Sequence, residues 1–192
     1  MPRWEPRPEE RLRDAALELF TEHGYDNVTV AQITERAGLT RRTFSRYFTD
    51  KRDVLFAGSE QLPVALADAV QRADQTLAPF DALLAALTET AELLADRIPH
   101  AAQRRAIVRA SPELQEREGT KYAAVTKALA DALRQRGAAG SSADLMASVG
   151  VAIFRTAFVR WTDDPDRADF PAQIREAAAE LAASLTAADI RA

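Results

Sequence analysis

The sequence predicts an all-helical chain of nine helices, and three observations carry that expectation. Apolar residues recur at helical spacing: Leu12, Ala15, Ala16, Leu19 and Phe20 fall at i, i+3, i+4, i+7 and i+8, which is one face of a helix. Glycine is scarce, at 7 of 192 residues, while alanine, the best helix former, is abundant. Runs of Val, Ile and Thr with period two, the mark of a half-buried strand, are absent.

The elements follow in order. Pro8, Glu9 and Glu10 suit the first turn of the first helix, and Gly24 suits the position just past its end. The second helix starts at Thr29, with Gln32 three residues on as a capping box, carries Val30, Ile33 and Ala37, and stops at Gly38. Thr40 is the N-cap of a third, with Phe44 and Phe48 on one side. A fourth is expected from Asp50 over about 25 residues, kinked at Pro63. Pro79 opens a helix over 79–97 and Pro99 ends it; a short helix spans 101–110. Pro112 opens one over 112–136, closed by Gly137, and Gly140, Ser141 and Ser142 form a linker and cap. The helix at 143–161 is apolar nearly all round, through Leu145, Met146, Val149, Val151, Ile153, Phe154, Phe158 and Trp161. An acidic loop precedes Pro171, and a last helix spans 171–188.

Composition removes several kinds of chemistry. With 47% hydrophobic and 28% charged residues the chain has a globular balance. There is no Cys, and His23 and His100 are far apart, so neither a disulfide nor a metal site is expected. No G-x-S-x-G turn, glycine-rich phosphate loop or carboxylate pair beside a His is present. No catalytic residue and no cofactor are therefore expected, and the chain does not read as an enzyme. The N-terminus lacks the apolar stretch of a secretory signal, and no uninterrupted apolar run of membrane-spanning length occurs. The expectation is a cytoplasmic protein.

Charge is unevenly placed. The net charge is -4, yet residues 28–52 hold Arg36, Arg41, Arg42, Arg46, Lys51 and Arg52 against only Glu35 and Asp50. Such a cluster is an electrostatic footprint for phosphate, or else a solvated basic face. The cluster coincides with a helix-turn-helix pattern running from Thr29 to Phe48, in which Gly38-Leu39-Thr40 is the turn. A unit of this kind sets its second helix in the major groove of DNA while the first crosses the backbone. Phe44 and Phe48 then face inward, and Arg41, Arg42, Ser45 and Arg46 face bases and phosphates.

Residues 11–56 resemble the N-terminal domain of the TetR family of transcriptional regulators. The stretches that carry the resemblance are Ala16-Leu17-Glu18-Leu19-Phe20, His23-Gly24-Tyr25-Asp26, Val28-Thr29-Val30, Ile33 through Thr40, and Thr43-Phe44-Ser45-Arg46-Tyr47-Phe48, followed by Lys51 and Leu55. Two positions depart from the family's pattern. Arg42 stands where a small residue is usual, and Ser45 stands where a phosphate-contacting Tyr is usual. A looser likeness to one subgroup of the family runs through residues 100–136.

The resemblance implies a flexible tail at 1–8, a DNA-binding domain at 9–49, and a helical ligand-binding and dimerisation domain at 50–192. It implies a homodimer that binds a double-stranded, pseudo-palindromic operator and is released by a small-molecule effector, with no membrane partner. Such a protein is a repressor; an activator of the same fold, or a helical adaptor with weakened DNA binding, are the alternatives. The implied DNA-binding residues are Thr29, Thr40, Arg41, Arg42, Thr43, Ser45, Arg46, Tyr47 and Lys51. For Thr29 and Thr40 the competing role is that of helix cap, and for Tyr47 that of packing. Arg41 and Arg42 suit bidentate reading of guanine. Arg3 and Arg7 in the Pro-rich tail suit a minor-groove arm, or simply a solvated tail. Candidate effector residues are Phe56, Phe80, Arg109, Tyr122, Phe154, Arg155, Phe158 and Trp161, each with a core role as the competing reading. Switching is expected through the single helix at 50–75, bent at Pro63.

Overall fold

The computed structural model describes residues 7–95, 100–164 and 169–187. Arg3, Pro99 and most of the expected tail lie outside them. All regular structure among the described residues is helical: α1 (Pro8–His23), α2 (Val30–Arg36), α3 (Arg41–Tyr47), α4 (Asp53–Phe56), a 3-10 turn (Ser59–Gln61), α5 (Leu62–Arg72), α6 (Pro79–Ala95), α7 (Ala101–Ala110), α8 (Pro112–Gln135), α9 (Gly140–Asp163) and α10 (Phe170–Ala187). Among the described residues ten α-helices stand where nine were expected, because the fourth is broken. After Phe56 the backbone turns extended at Ala57 and left-handed at Gly58, with φ +83°. Pro63 does not kink a helix; it sits in the first turn of α5, where its missing N–H leaves no hydrogen bond unmade. Gly140, Ser141 and Ser142 belong to the first turn of α9 rather than to a linker.

The chain divides into two compact units. One comprises Met1–Glu60 with His100–Gly119, the other Gln61–Pro99 with Thr120–Ala192. In the first, Leu12, Leu19, Phe20, Ile33, Phe44, Phe48 and Phe56 share one core with Ile107, Val108 and Leu114. α7 is tied to α1 by Gln103, whose Nε2 donates to Thr21 Oγ1 at 2.9 Å. It is tied to α4 by Arg104, whose Nε donates to the Leu55 carbonyl and whose guanidinium lies 5.3 Å from the Phe56 ring centroid.

In the second unit α5, α6, α9, α10 and the later part of α8 bury Leu66, Val70, Leu83, Leu87, Leu129, Leu133, Val151, Phe154, Phe170 and Ile174. The carbonyls left over at the end of α5 are taken by Arg136, which donates to Ala73 at 3.0 Å and Asp74 at 2.7 Å. Arg160 reaches from α9 to Glu180 on α10 through two hydrogen bonds of 3.0 and 2.7 Å. α9 is long and apolar enough to cross a membrane, yet Ala143, Ala147, Gly150, Val151, Ile153, Phe154 and Ala157 are buried in this core.

At Gly150, α9 lies close against Leu83 of α6. A Cβ there would meet Leu83 Cδ2 at 2.7 Å, and Leu83 is wholly enclosed, so it has no room to swing away. Overpacking of this kind costs about 1–3 kcal/mol, against a gain of about 1 kcal/mol from replacing a helical Gly by Ala. Gly150→Ala is expected to lower the urea midpoint of unfolding. A raised midpoint would mean that Leu83 adapts freely.

Candidate nucleic-acid interface

The interface is built on α2 and α3, and their ends are set locally. Thr29 Oγ1 accepts from the Gln32 N–H at 3.3 Å while Gln32 Oε1 accepts from the Thr29 N–H at 2.8 Å, the expected reciprocal capping box. Arg11 on α1 donates to the Ala37 carbonyl at 2.6 Å, clasping the end of α2. Gly38 then turns left-handed at φ +63°, a conformation that strains any residue with a Cβ. Thr40 caps α3 by accepting from the Thr43 N–H at 3.1 Å, and the two hydroxyls lie 3.0 Å apart. Phe44 and Phe48 are buried, with ring centroids 5.5 Å apart. The opposite side of α3 is therefore forced outward: Arg41, Arg42, Ser45, Arg46 and Tyr47 are exposed.

The six basic residues of the cluster have different fates. Arg36 pairs with Glu18 at 3.1 Å and Glu22 at 2.9 Å. Those hydrogen bonds raise its pKa and hold the Glu22 carboxyl below its usual range. Arg52 pairs with Asp50 at 2.5 Å and Glu113 at 3.2 Å. Burial pushes the Asp50 carboxyl up, but hydrogen bonds from Arg52 and from the backbone N–H groups of Asp53 and Arg52 outweigh it, so the net shift is downward. Among the described residues Arg41, Arg42 and Arg46 pair with no carboxylate, and all three lie on α3.

Lys51 is spent on the fold. Its ammonium donates to the carbonyls of Tyr25 at 2.8 Å, Val28 at 3.0 Å and Asp26 at 3.4 Å, and sits 4.1 Å from the Tyr25 ring centroid. An ammonium has three donors, and here they meet carbonyls of the α1–α2 loop, which Lys51 thereby braces. Burial of Tyr25, with the nearby Glu113 carboxylate, raises the phenol's pKa, so it stays neutral. Lys51→Met is expected to lower stability by about 1–3 kcal/mol while leaving the salt dependence of DNA binding near that of the parent. A salt slope reduced by roughly one per protomer would instead restore Lys51 as a phosphate contact.

The other expected site residues fall in two places. Phe56 and Arg109 belong to the first unit, Phe56 in its core and Arg109 exposed at the end of α7. Phe80, Tyr122, Phe154, Arg155, Phe158 and Trp161 belong to the second. There the Arg155 guanidinium lies 4.9 Å from the Tyr122 ring centroid. Phe154, Phe158 and Trp161 converge on Phe170, with centroids 5.3, 5.8 and 4.9 Å away, and Trp161 stacks on it. Sequence reading began the last helix at Pro171 and so missed Phe170. It also missed Arg11, whose partner is remote in sequence.

A helix-turn-helix with a cationic second helix, joined to a second helical unit, defines the class of DNA-binding transcriptional regulators. The comparisons specify the family. Residues 12–57 match the model of bacterial regulatory proteins of the tetR family, and residues 77–186 match that of the MftR C-terminal domain. A protein of Mycobacterium tuberculosis named as the mycofactocin biosynthesis transcriptional regulator MftR is 30% identical over 160 residues, covering 80% of this chain and 79% of that one. The fold is similar to that of SmeT, the repressor of a Stenotrophomonas maltophilia multidrug efflux pump, in its triclosan complex: TM-score 0.61, 22% identity, 90% of each chain covered. It is also similar to that of Bacillus subtilis FadR in complex with stearoyl-CoA, with TM-score 0.60 and 20% identity over 88% of this chain and 94% of that one. The chain belongs to the TetR family of transcriptional regulators.

Proposed function

We propose that the protein is a repressor that binds a pseudo-palindromic operator as a homodimer in the cytoplasm and releases it on binding a small-molecule effector. The observation that carries this reading is the exposed face of α3, whose three guanidiniums have no carboxylate partner among the described residues while Phe44 and Phe48 fix the helix from behind. Uncompensated charge on a rigidly seated helix suits phosphate and base edges. Arg41 and Arg42 are the proposed base readers; Thr29, Thr40, Thr43 and Ser45 border the DNA backbone. The DNA-binding part then comprises the helices expected at 9–49, supported from behind by α7.

A second copy of the chain is the proposed partner of α9 and α10. Leu145 and Val159 on α9 are 65% and 38% exposed, and Leu185 on α10 is 52% exposed. Ala182 and Ala183 leave the same part of α10 open to close approach, whereas Ala177 is used in the core. Two such faces related by a two-fold axis would bury one another.

The effector site is proposed in the second unit, beside Tyr122 and Arg155. Arg155 has no carboxylate partner among the described residues, and Phe80 and Phe158 of the same unit are half-buried. An apolar molecule with an anionic end suits this combination; SmeT and FadR were solved with triclosan and stearoyl-CoA, each of which has a large apolar part. With α4 and α5 separated at Gly58, the switch cannot be the swing of one continuous helix over 50–75.

The test is to measure which fragments of the source genome the protein retains, with and without small-molecule extract of the same cells. Retention of one fragment, its loss with extract, and persistence of binding with extract in Arg155→Met are the expected results. Equal retention of all fragments would overturn the reading.

A further inference from the structure

α8 runs from Pro112 to Gln135 without a break, yet its two ends belong to different units, the division falling between Gly119 and Thr120. The first turn is bound to the first unit. Leu114 is buried in that core, and Glu113 accepts from the Tyr25 hydroxyl at 3.4 Å and pairs with Arg52 at 3.2 Å. Gln115 Nε2 donates to the Arg109 carbonyl at 2.7 Å. The later turns are bound to the second unit. Tyr122, Val125, Leu129 and Leu133 are buried there, and Gln71 Nε2 donates to the Ala132 carbonyl at 2.7 Å. Between Leu114 and Tyr122 no residue is buried, so about two turns of helix are pinned by neither core. Gly119 lies in this stretch. Gly24, Gly38, Gly58 and Gly137 take positive φ, Gly150 is crowded by Leu83, and Gly140 opens α9. Gly119 has no such reason: its φ is not positive, and a Cβ there would meet nothing within 4 Å. Space and backbone both admit alanine, yet the position holds the poorest helix former after proline.

We infer that Gly119 is a hinge inside α8 and that bending there accompanies effector-driven release of DNA, a role that rests on the effector-responsive reading proposed above. A helix without tertiary support holds its shape through backbone propensity alone, and glycine makes that hold weakest at 119. The two segments on either side stay helical because each is packed into its own unit. With α4 and α5 separated at Gly58, α8 is the one α-helix among the described residues that runs from one unit into the other. Tyr122, with the Arg155 guanidinium 4.9 Å from its ring centroid, is one turn beyond Gly119. An effector taken up beside that pair therefore acts on the first turn of the second segment. Glu113, which ties the first segment to Tyr25 and Arg52, is less than two turns before the glycine. The hinge thus lies between the proposed effector contact and the ties to the α1–α2 loop and α4.

Two measurements on the full-length protein test this. The first is amide hydrogen exchange followed by mass spectrometry, which needs no effector. Amides 119–123 are expected to exchange ahead of amides 125–133, and Gly119→Ala to slow them roughly fivefold, the factor that glycine's helix propensity sets against alanine's. Exchange of 119–123 in step with 125–133 overturns the hinge. The second titrates small-molecule extract of the source cells against the retained genomic fragment. Gly119→Ala makes the bent form rarer, so it is expected to need roughly two- to fivefold more extract for half release, while binding the fragment at least as tightly as the parent. A second variant combines Gly119→Ala with Ala124→Gly, which keeps a glycine in α8 but moves it to an exposed position within the second unit's segment. It is expected to behave as Gly119→Ala does; parent-like release would overturn the assignment to position 119. Equal extract for half release in the parent and Gly119→Ala overturns the hinge's part in release. A parent that extract releases from no fragment overturns the effector reading itself, and the exchange measurement then decides the hinge alone.

Discussion

Replacing Arg41 and Arg42 together by alanine is expected to cost about 2–5 kcal/mol in binding to the specific fragment, since a good bidentate arginine–guanine pair contributes about 1–3 kcal/mol of discrimination. The two sites are neighbours, so the losses need not add. Both side chains are exposed and pair with no carboxylate among the described residues, so thermal stability should hardly change. Affinity is measured by anisotropy for the retained genomic fragment and for a scrambled duplex of equal length. A much larger loss on the fragment than on the scrambled duplex is the expected pattern. Equal losses on both would show that these arginines only neutralise phosphate. Arg42 is the more informative of the two singly, because it stands where the family usually has a small residue.

Phe170→Ala is expected to destabilise the second unit by about 3–5 kcal/mol, the usual range for emptying the site of a buried aromatic side chain. Phe170 has no exposed surface, and Phe154, Phe158 and Trp161 all lean on it. Three rings would lose a shared partner at once, and they cannot collapse into the vacancy without leaving their own helix face. Whole-domain stability is typically about 5–15 kcal/mol, so the loss is large enough to show in any denaturant titration. Trp161, stacked 4.9 Å from Phe170, reports locally through its fluorescence. A loss below about 1 kcal/mol with unchanged Trp161 emission would show that Phe170 is not the centre of this cluster.

The helices were largely legible because their signals are short-range. A capping box such as Thr29 with Gln32 is made between residues three apart, and the apolar face of α1 repeats every three or four. The break between α4 and α5 was harder to see. Gly58 and Pro63 are both visible in the sequence, but either can lie inside a bent helix, and only the left-handed backbone at Gly58 ends α4. Phe170 was passed over because a Pro is a strong start signal, and Pro171 masked the residue before it. Within the interface, Phe44 and Phe48 on the inner side of α3 and the arginines on the outer side follow directly from the helical period.

What the sequence alone determined is the helical class, the helix-turn-helix, and the side of α3 that faces away from its core. These depend on backbone preferences and on spacings of a few residues. Tertiary structure decided which positive charges remain available. Arg36 is neutralised by Glu22 across 14 positions and by Glu18 across 18. Lys51 donates hydrogen bonds to carbonyls 23 to 26 positions away, and Arg52 meets Glu113 in the first turn of α8. The cluster of six bases in residues 28–52 therefore reduces to three on one helix. The physical reason is that Coulomb attraction and hydrogen bonding act over a few ångströms of space, and sequence distance does not encode which acids and carbonyls fall within that reach.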